Sequence, residues 1–591
     1  MKTTWNLQQL YKNQNDPQIE LDTDVAISKN KTFVTKWKPN REYLKDPKIL
    51  KKAIEEYEEL EEKYGQAMKP FFYFILLNSL NQTDSNIKAK LNKLSDLYTR
   101  LSNDIQFFEL NISKISEEKQ KLFLTSPDLV KYKHFLEGLF LSGKYILSDS
   151  EEKVFNSMSK TSYSNWVDML SELLDKQELS IKGEDGKMKQ IHYNEISKYF
   201  ESRDKKVRHF AAKEFNKINS KYAEIAEFEI NSVLESKYIS DTYRKVERAD
   251  LLRHIEDDIE TEIVDTLVKT VTENFDVSRN YYKYKAKSLG VKQLGYHDRH
   301  VPLGNATKEY QYSEAMDIVK NTFYSLDKEF GDIVERFQLN GQYDVYPQKG
   351  KSGGAFCINV SKSLPTYILL NHNMKVNDVL TIAHESGHGI HSELSKSQSA
   401  VNSDYPTSLA ETASTFFEDF TLQNILETVN KEERYTILGQ KMHNDVSTIF
   451  AQVALYNFET ELHRAFRQKG YVDRDTISEL FCKHMHAYLG DSVKIDEGMK
   501  NGWIYWSHIR RYFYVYSYAS GLLVSKALQS MVREDPEKIS LVKTFLSSGS
   551  IKSPKEIFLD MGIDISRKDI WLKGINEVKY MLDNLIRNNY G

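Results

Sequence analysis

The stretch 379-VLTIAHESGHGIHSEL-394 contains two histidines four residues apart, with a glutamate directly after the first. On an α-helix His384 and His388 would share a face, where both imidazoles could bind one metal ion. HExxH is the arrangement of the zincins, in which the glutamate, here Glu385, acts as general base on a metal-bound water. The alternative is a solvated helix with polar residues, but apolar residues flank the motif, and burying unpaired imidazole and carboxylate groups is costly. The motif therefore predicts a metal site.

The third metal ligand distinguishes the classes of zincin. The metzincin pattern HExxHxxGxxH needs a third histidine at position 394, which is Leu394 here, so that class is excluded. His391 lies seven residues after His384 and would reach the metal only from a distorted helix. We therefore expect His391 to contact a metal ligand or the substrate. A glutamate from a later helix would then complete the site, as in His₂Glu zinc sites.

The segment 408-SLAETASTFFEDF-420, which follows a turn at Pro406, predicts that later helix. Glu411 and Glu418 are seven residues apart on one face, so either could bind the metal, and both could be solvated helix acids. We prefer Glu411 as the ligand, because its apolar neighbours Leu409, Ala410 and Ala413 indicate the buried stripe of the helix. Glu418 is then a candidate for supporting the site or contacting the substrate.

A second candidate group lies in 503-WIYWSHIRRYFYVYSYASGLL-523. Tyr514, Tyr516 and Tyr518 alternate, which fits either a strand with one tyrosine face or a loop that enters a helix. Aromatic packing is the simplest interpretation in a chain with 36 tyrosines. The functional interpretation is that His508 and one or two tyrosine hydroxyls donate hydrogen bonds to an oxyanion, whose charge develops only in the transition state.

Composition narrows the class of protein. The chain has 591 residues, of which 40% are apolar and 28% charged, and its net charge is −4, from 81 basic and 85 acidic residues. This near balance argues against a nucleic-acid partner. Two cysteines are too few for a disulfide framework, which fits a reducing compartment. The first twenty residues contain no apolar leader of the kind that secretory signals have. The longest apolar run, 71–77, is too short to span a membrane. We expect a cytoplasmic protein without membrane association.

Long amphipathic runs with few glycines and prolines predict a mostly α-helical protein. We expect an N-terminal helical domain over residues 1–200 and a catalytic domain over residues 201–591. Asp185-Gly186 predicts a β-hairpin. Short β-type runs over 345–373 predict a small sheet directly before the histidine helix. In the run 349–360, the backbone of Gly353, Gly354, Ala355 and Phe356 could bind an extended peptide as an added strand. Alternatively, the sheet could simply support the helix.

HESGHGIH followed by ETASTFFE resembles the thimet oligopeptidase and oligopeptidase F family of zinc metallopeptidases. The stretches 281–302, 513–521 and 546–564 and the block 127–172 resemble the oligoendopeptidase F branch in particular. The resemblance implies one Zn²⁺ per chain, held by His384, His388 and Glu411. It also implies Glu385 as general base, with His508 and the tyrosines Tyr514, Tyr516 and Tyr518 facing the zinc. The implied fold is a helical, two-lobed zincin fold enclosing a deep cleft, with a small sheet beside the HExxH helix.

The function implied by this resemblance is a zinc-dependent oligoendopeptidase that hydrolyses internal bonds of short, unstructured peptides. Two alternatives stay open. A carboxypeptidase or peptidyl-dipeptidase of related fold would need a basic clamp for the terminal carboxylate, which Arg510 or Arg511 could supply. A non-catalytic, zinc-containing peptide-binding protein would not need Glu385, and a structural zinc site usually has a fourth protein ligand, for which neither cysteine is near in sequence.

Overall fold

The structure is a computed structural model that describes residues 1–64, 68–305 and 308–588. It confirms the prediction of a mostly α-helical protein. The first helices in chain order are α1 (Gln18–Trp37), α2 (Pro47–Tyr64), α3 (Lys69–Leu80), α4 (Ser85–Ile105), α5 (Phe107–Ser113), α6 (Glu117–Thr125), α7 (Lys133–Gly143), α8 (Asp149–Ser159), α9 (Asn165–Asp175), α10 (Ser197–Phe200), α11 (Lys205–Tyr243), α12 (Leu251–Glu256), α13 (Thr261–Glu273) and α14 (Asp276–Ser288). They are followed by α15 (Tyr312–Leu326), α16 (Lys328–Asn340), α17 (Val376–Ser395), α18 (Thr407–Thr428), α19 (Lys431–Val446), α20 (Gln452–Lys469), α21 (Arg474–Leu489), α22 (Tyr516–Glu534), α23 (Ile539–Ser547), α24 (Pro554–Asp560) and α25 (Lys568–Arg587).

The strands form small sheets. They are β1 (Glu178–Lys182), β2 (Met188–His192), β3 (Leu294–Gly295), β4 (Tyr343–Asp344), β5 (Phe356–Ile358), β6 (Tyr367–Leu369) and β7 (Val493–Lys494). β1 and β2 form the predicted hairpin, whose turn places Gly186 at a φ of 74°. β3 pairs with β7 in parallel, and β4, β6 and β5 form a sheet in that order, with β5 at one edge. This last sheet confirms the prediction of a small sheet just before the histidine helix.

Contacts within the chain divide it into two compact units. Unit 1 contains Met1–Lys144, Thr307–Thr428 and Leu528–Asp564, and unit 2 contains Tyr145–Ala306, Val429–Ala527 and Ile565–Gly591. Helix α22 contributes residues to both. The predicted division of the chain near residue 200 stays a prediction, as does the two-lobed arrangement around a cleft.

In unit 1 the small sheet is fixed to the N-terminal helices by aromatic packing. The Trp5 indole donates a hydrogen bond to the carbonyl of Ile368 at 2.9 Å and packs edge-on against Tyr367, with ring centroids 5.6 Å apart. Phe72, in the apolar run that forms α3, also contacts Tyr367. Since α17 packs against both β5 and β6, this core positions the sheet beside the HExxH helix.

Unit 2 is organised around the 39-residue helix α11. Asp204 caps its N-terminus by accepting the backbone N–H of Lys206. Buried residues recur along the whole helix, which packs against α9, α20 and the 3₁₀ helix Glu497–Ile504. A buried carboxylate of α11, that of Glu229, lies in this packed surface.

Glycines allow α17 to pack closely against its neighbours. A Cβ at Gly387 would lie 2.9 Å from Cα of Ser414 in α18 and 3.0 Å from the Phe417 ring. A Cβ at Gly389 would lie 2.6 Å from the Phe337 ring. Close packing therefore explains why the helix tolerates two glycines, each of which costs about 1 kcal/mol of helix propensity relative to alanine.

Within the described residues, no helix combines the length and the apolar character that crossing a membrane requires.

Gly387→Ala tests this packing. Alanine should gain about 1 kcal/mol of helix propensity, but overpacking against the α18 backbone should cost about 1–3 kcal/mol. We expect a net loss of stability, measured as a lower apparent Tm in calorimetry. The control is Gly138→Ala in α7, where the added Cβ meets nothing within 4 Å and should stabilise the protein. Equal stability of the two variants would contradict close packing of α17 on α18.

Candidate metal centre and active site

Helices α17 and α18 bring together the three residues predicted to bind a metal. His384 and His388 are one turn apart on α17, and Glu411 lies in the second turn of α18. The His384 Nε2 atom is 3.6 Å from one Glu411 carboxylate oxygen, and the His388 Nε2 atom is 4.0 Å from the other. Donors bound to one zinc ion at about 2.0–2.2 Å must lie within about 4.4 Å of each other, so the cluster fits a zinc ion.

Within the described residues this is the one cluster of three or more histidine, cysteine, aspartate or glutamate side chains whose ligand atoms lie within 4.8 Å of one another. Two imidazoles and a carboxylate also leave a coordination position open, which is typical of catalytic rather than structural zinc sites.

Glu418 lies on the other side of the His384 ring. Its carboxylate is 3.1 Å from Nδ1 of His384, at hydrogen-bonding distance. A proton on Nδ1 leaves the Nε2 lone pair free for a metal, and carboxylate partners of this kind orient metal-binding histidines. The geometry therefore gives the two glutamates different places: Glu411 beside both Nε2 atoms and Glu418 behind one ring.

The electrostatics of the cluster favour a cation. Burial alone would lower the pKa of His384, but the surrounding carboxylates, that of Glu418 first, raise it to about 9. Burial raises the pKa of Glu385 to about 7, with His384 opposing the rise and Glu411 adding to it. Burial lowers the pKa of His388 to about 3, so this imidazole is neutral at pH 7, as metal binding requires.

Glu385 connects the metal cluster to the edge strand β5. The side chain is only 8% exposed, and the backbone N–H of Cys357 lowers its pKa, against the larger effect of burial. Cys357 is the middle residue of β5 and pairs with Ile368 of β6. Sequence patterns missed this contact, because no side-chain type identifies a backbone donor.

The predicted peptide-binding residues lie at the start of β5. Gly353 and Gly354 are exposed, with Gly354 at a φ of 73°, and a Cβ at either would meet no atom within 4 Å. Ala355 leads into the strand, and Phe356 pairs with Leu369. This backbone is therefore exposed directly before β5, while its role in binding stays a prediction.

His391 lies apart from the cluster in a buried aromatic stack. Its ring is parallel to that of Tyr405, with centroids 3.5 Å apart, and also contacts Phe545. Burial lowers the pKa of His391 to about 3. The structure thus places His391 in packing, and the predicted contact with a ligand or substrate stays a prediction.

In unit 2 the tyrosine-rich segment forms a loop that enters a helix. A 3₁₀ helix spans Ser507–Arg510, and α22 begins at Tyr516. The His508 ring stacks on Tyr514 at 5.5 Å and meets Tyr518 edge-on at 6.2 Å. The hydroxyls of Tyr514 and Tyr518 are 3.3 Å apart. These three polar side chains form one partly exposed group.

Two other residues of this segment are held by unit 2 itself. The hydroxyl of Tyr516 is buried and donates to Asp257 at 2.7 Å. Arg510 forms a buried, two-bond pair with Glu229, at 3.0 and 2.8 Å. Neither contact has a sequence signal, because each partner lies more than 250 positions away. Arg511, by contrast, is exposed.

Comparison with known proteins identifies two family matches. The sequence profile described as peptidase family M3 matches residues 198–577, and that described as oligopeptidase F matches residues 111–175. The chain is 26% identical to oligopeptidase PepF of Bacillus subtilis over 95% of its own length and 84% of the relative. It is 25% identical to an oligoendopeptidase F homolog of Lactococcus lactis, over 96% of its own length and 94% of the relative.

Solved structures share the fold. A candidate peptidase from Chlamydophila abortus superposes with a TM-score of 0.88 at 22% identity, covering 99% of this chain and 98% of the other. Oligoendopeptidase-F from Enterococcus faecium superposes with a TM-score of 0.68 at 18% identity, covering 97% of each chain. The mostly helical fold and its small sheets are therefore shared along nearly the whole length.

Glu418→Gln tests the support of His384. The substitution keeps the size of the side chain but removes the charge that orients the imidazole, so we expect about tenfold weaker zinc binding. Competition with a fluorescent chelator measures the affinity. Glu427→Gln, on the exposed end of α18, is the matched control and should bind zinc like the wild type. Unchanged affinity in Glu418→Gln would exclude this role.

Proposed function

This chain belongs to peptidase family M3, whose members are peptide-hydrolysing metallopeptidases, and we propose that it is a zinc-dependent oligoendopeptidase acting on short, unstructured peptides. The observation that carries the proposal is the cluster of His384, His388 and Glu411 with Glu385 beside it. Relatives of similar length are named oligopeptidases or oligoendopeptidases, which supports the substrate class.

We propose the cytoplasm as the compartment, since both cysteines are free. Residues 201–591 are the proposed catalytic domain.

The proposed metal ligands are His384, His388 and Glu411. A zinc ion bound there supplies Lewis acidity to a peptide carbonyl and to water. Glu418 keeps the proton of His384 on Nδ1 and thereby orients the ring. The buried Glu385 carboxylate takes a proton from the attacking water and passes it to the nitrogen of the leaving amine.

The edge strand β5 is the proposed binding site for the peptide backbone. An extended peptide can add to a free strand edge through main-chain hydrogen bonds. Because the Cys357 N–H of this strand is near enough to Glu385 to lower its pKa, a peptide aligned along β5 would lie beside the general base. The exposed backbone of Gly353 and Gly354 extends that edge. Such recognition is independent of the substrate's side chains and requires an unfolded segment.

His508, Tyr514 and Tyr518 are the proposed hydrogen-bond donors to the oxyanion, because they form one partly exposed polar group. Tyr516 was an equal candidate by sequence, but its hydroxyl donates to Asp257, so we propose that it anchors the segment. Arg510 is similarly occupied by Glu229, which weakens the carboxypeptidase alternative. Arg511 is then the residue of this pair that could bind a terminal carboxylate.

Internally quenched peptides of graded length, with blocked and free ends, test the function. We expect the zinc-loaded protein to cleave short blocked peptides and to leave folded proteins intact. Glu385→Gln should lose this activity by several orders of magnitude while it still binds zinc, since only the proton transfer is removed. Trimming of free-ended peptides alone would instead identify an exopeptidase. Stoichiometric zinc without cleavage would identify a binding protein.

Tyr518→Phe and Tyr514→Phe test the oxyanion donors. Removing a hydroxyl that donates only in the transition state should lower kcat about 100-fold and leave KM nearly unchanged. Tyr505→Phe, at an exposed tyrosine of the same region, is the matched control and should keep wild-type kcat. Steady-state kinetics on one quenched peptide compare the three. Wild-type kcat in both test variants would exclude these hydroxyls from catalysis.

A further inference from the structure

The loop between His508 and α22 contains two consecutive residues in the left-handed backbone region. Tyr512 has a φ of 48° and Phe513 a φ of 61°. Residues with a Cβ disfavour this region, and for bulky side chains it occurs only where surrounding contacts impose it. The turn lies between His508 and the pair Tyr514 and Tyr518, so its shape determines how these three side chains meet.

A buried glutamate contacts the turn directly. The backbone N–H of Phe513 donates to Oε1 of Glu459 in α20 at 2.8 Å. The Glu459 side chain is fully buried, and in the part of the chain that the structure describes its second oxygen has no hydrogen-bond partner. The nearest basic group to Glu459 is the Nε2 atom of His463, at 4.0 Å. This carboxyl group therefore makes its hydrogen bond to the turn, and among the described residues it forms no close ion pair with a lysine or arginine.

The backbone before the turn is held by other contacts within unit 2. Arg510 pairs with Glu229 of α11, and the Tyr163 hydroxyl donates to the Arg510 carbonyl. The Tyr512 hydroxyl donates to the carbonyl of Val233 at 3.1 Å. These contacts fix the chain up to Tyr512. Of the hydrogen bonds that the structure shows here, the one to Glu459 fixes the peptide group of Phe513.

We propose that Glu459 is a positioning residue for the reaction: its carboxyl group holds the left-handed Phe513 peptide and thereby sets His508 against Tyr514 and Tyr518. This inference rests on the proposed function, in which those three side chains stabilise the oxyanion. Glu459 itself does not touch the substrate. It acts on catalysis through the backbone.

The surroundings of Glu459 suggest how to substitute it. Burial raises the pKa of Glu459 to about 8, and Oε1 can accept the Phe513 N–H whether the carboxyl group is charged or protonated. Glutamine has the same shape and offers the same kind of acceptor. Methionine has a similar volume but lacks an oxygen at that position. Glu459→Gln and Glu459→Met therefore differ in the one contact at issue.

The experiment compares these two variants as full-length, zinc-loaded proteins on one quenched peptide. We expect Glu459→Met to lower kcat about 100-fold with little change in KM, because a small displacement of catalytic donors is enough for such a loss. Glu459→Gln should stay close to wild type. Glu461→Met is the control on the same helix, where the side chain contacts Lys483 and His484 instead, and it should keep wild-type kcat.

Limited trypsin digestion gives a second readout that does not depend on activity. Arg511 is exposed, so release of the turn should speed cleavage after Arg511 in Glu459→Met and leave Glu459→Gln unchanged. Replacing Phe513 by phenyllactic acid removes the N–H without touching Glu459. It should reproduce both effects even if Glu459→Met does not fold.

Two results would overturn the proposal. One is wild-type kcat and wild-type digestion after loss of either the Glu459 oxygen or the Phe513 N–H. The other is an equal loss of kcat in Glu459→Gln and Glu459→Met, since the retained acceptor would then be irrelevant. If the wild type cleaves no peptide, the proposed function fails, whereas the digestion comparison still tests whether Glu459 holds the turn.

Discussion

The metal cluster depends on how closely α17 and α18 approach each other. The imidazoles project from one helix and both supporting carboxylates from the other, and none of these side chains is long. Gly387 faces the Ser414 backbone without a side chain between them, which brings Glu411 within reach of both Nε2 atoms. A wider separation would also remove Glu418 from His384. A residue that is not itself a candidate ligand thus sets the distances between the candidate ligand atoms.

Much of this site follows from local sequence pattern. The spacing of His384 and His388 predicts a shared helical face, and the apolar residues around Glu411 predict the side of α18 that is buried. The hairpin at Gly186 and the small sheet before α17 follow from turn residues and alternation. What could not be predicted is which side of the His384 ring each glutamate approaches. That depends on the crossing of two helices, which periodicity within either helix does not contain.

The tyrosine-rich segment shows the opposite case. Alternating tyrosines fit a strand as well as a loop, and the structure contains a 3₁₀ helix, a left-handed turn and the start of α22. The groups that impose this shape, Glu229 and Glu459, lie on α11 and α20, 281 and 54 positions from their partners in the segment. Local preference disfavours a left-handed φ at Phe513, so tertiary contacts override it there.

The path of the chain through unit 1 has a consequence for synthesis. The candidate metal ligands and Glu418 emerge from the ribosome within one stretch, residues 384–418, but α17 also packs against α23, and the His391 ring contacts Phe545. These covering residues are translated only after the chain has left unit 1 at Thr428 and returned at Leu528. A nascent chain halted before α23 therefore carries all the candidate metal ligands on a helix that still lacks one of its packing partners, and the apolar surface left exposed there favours aggregation.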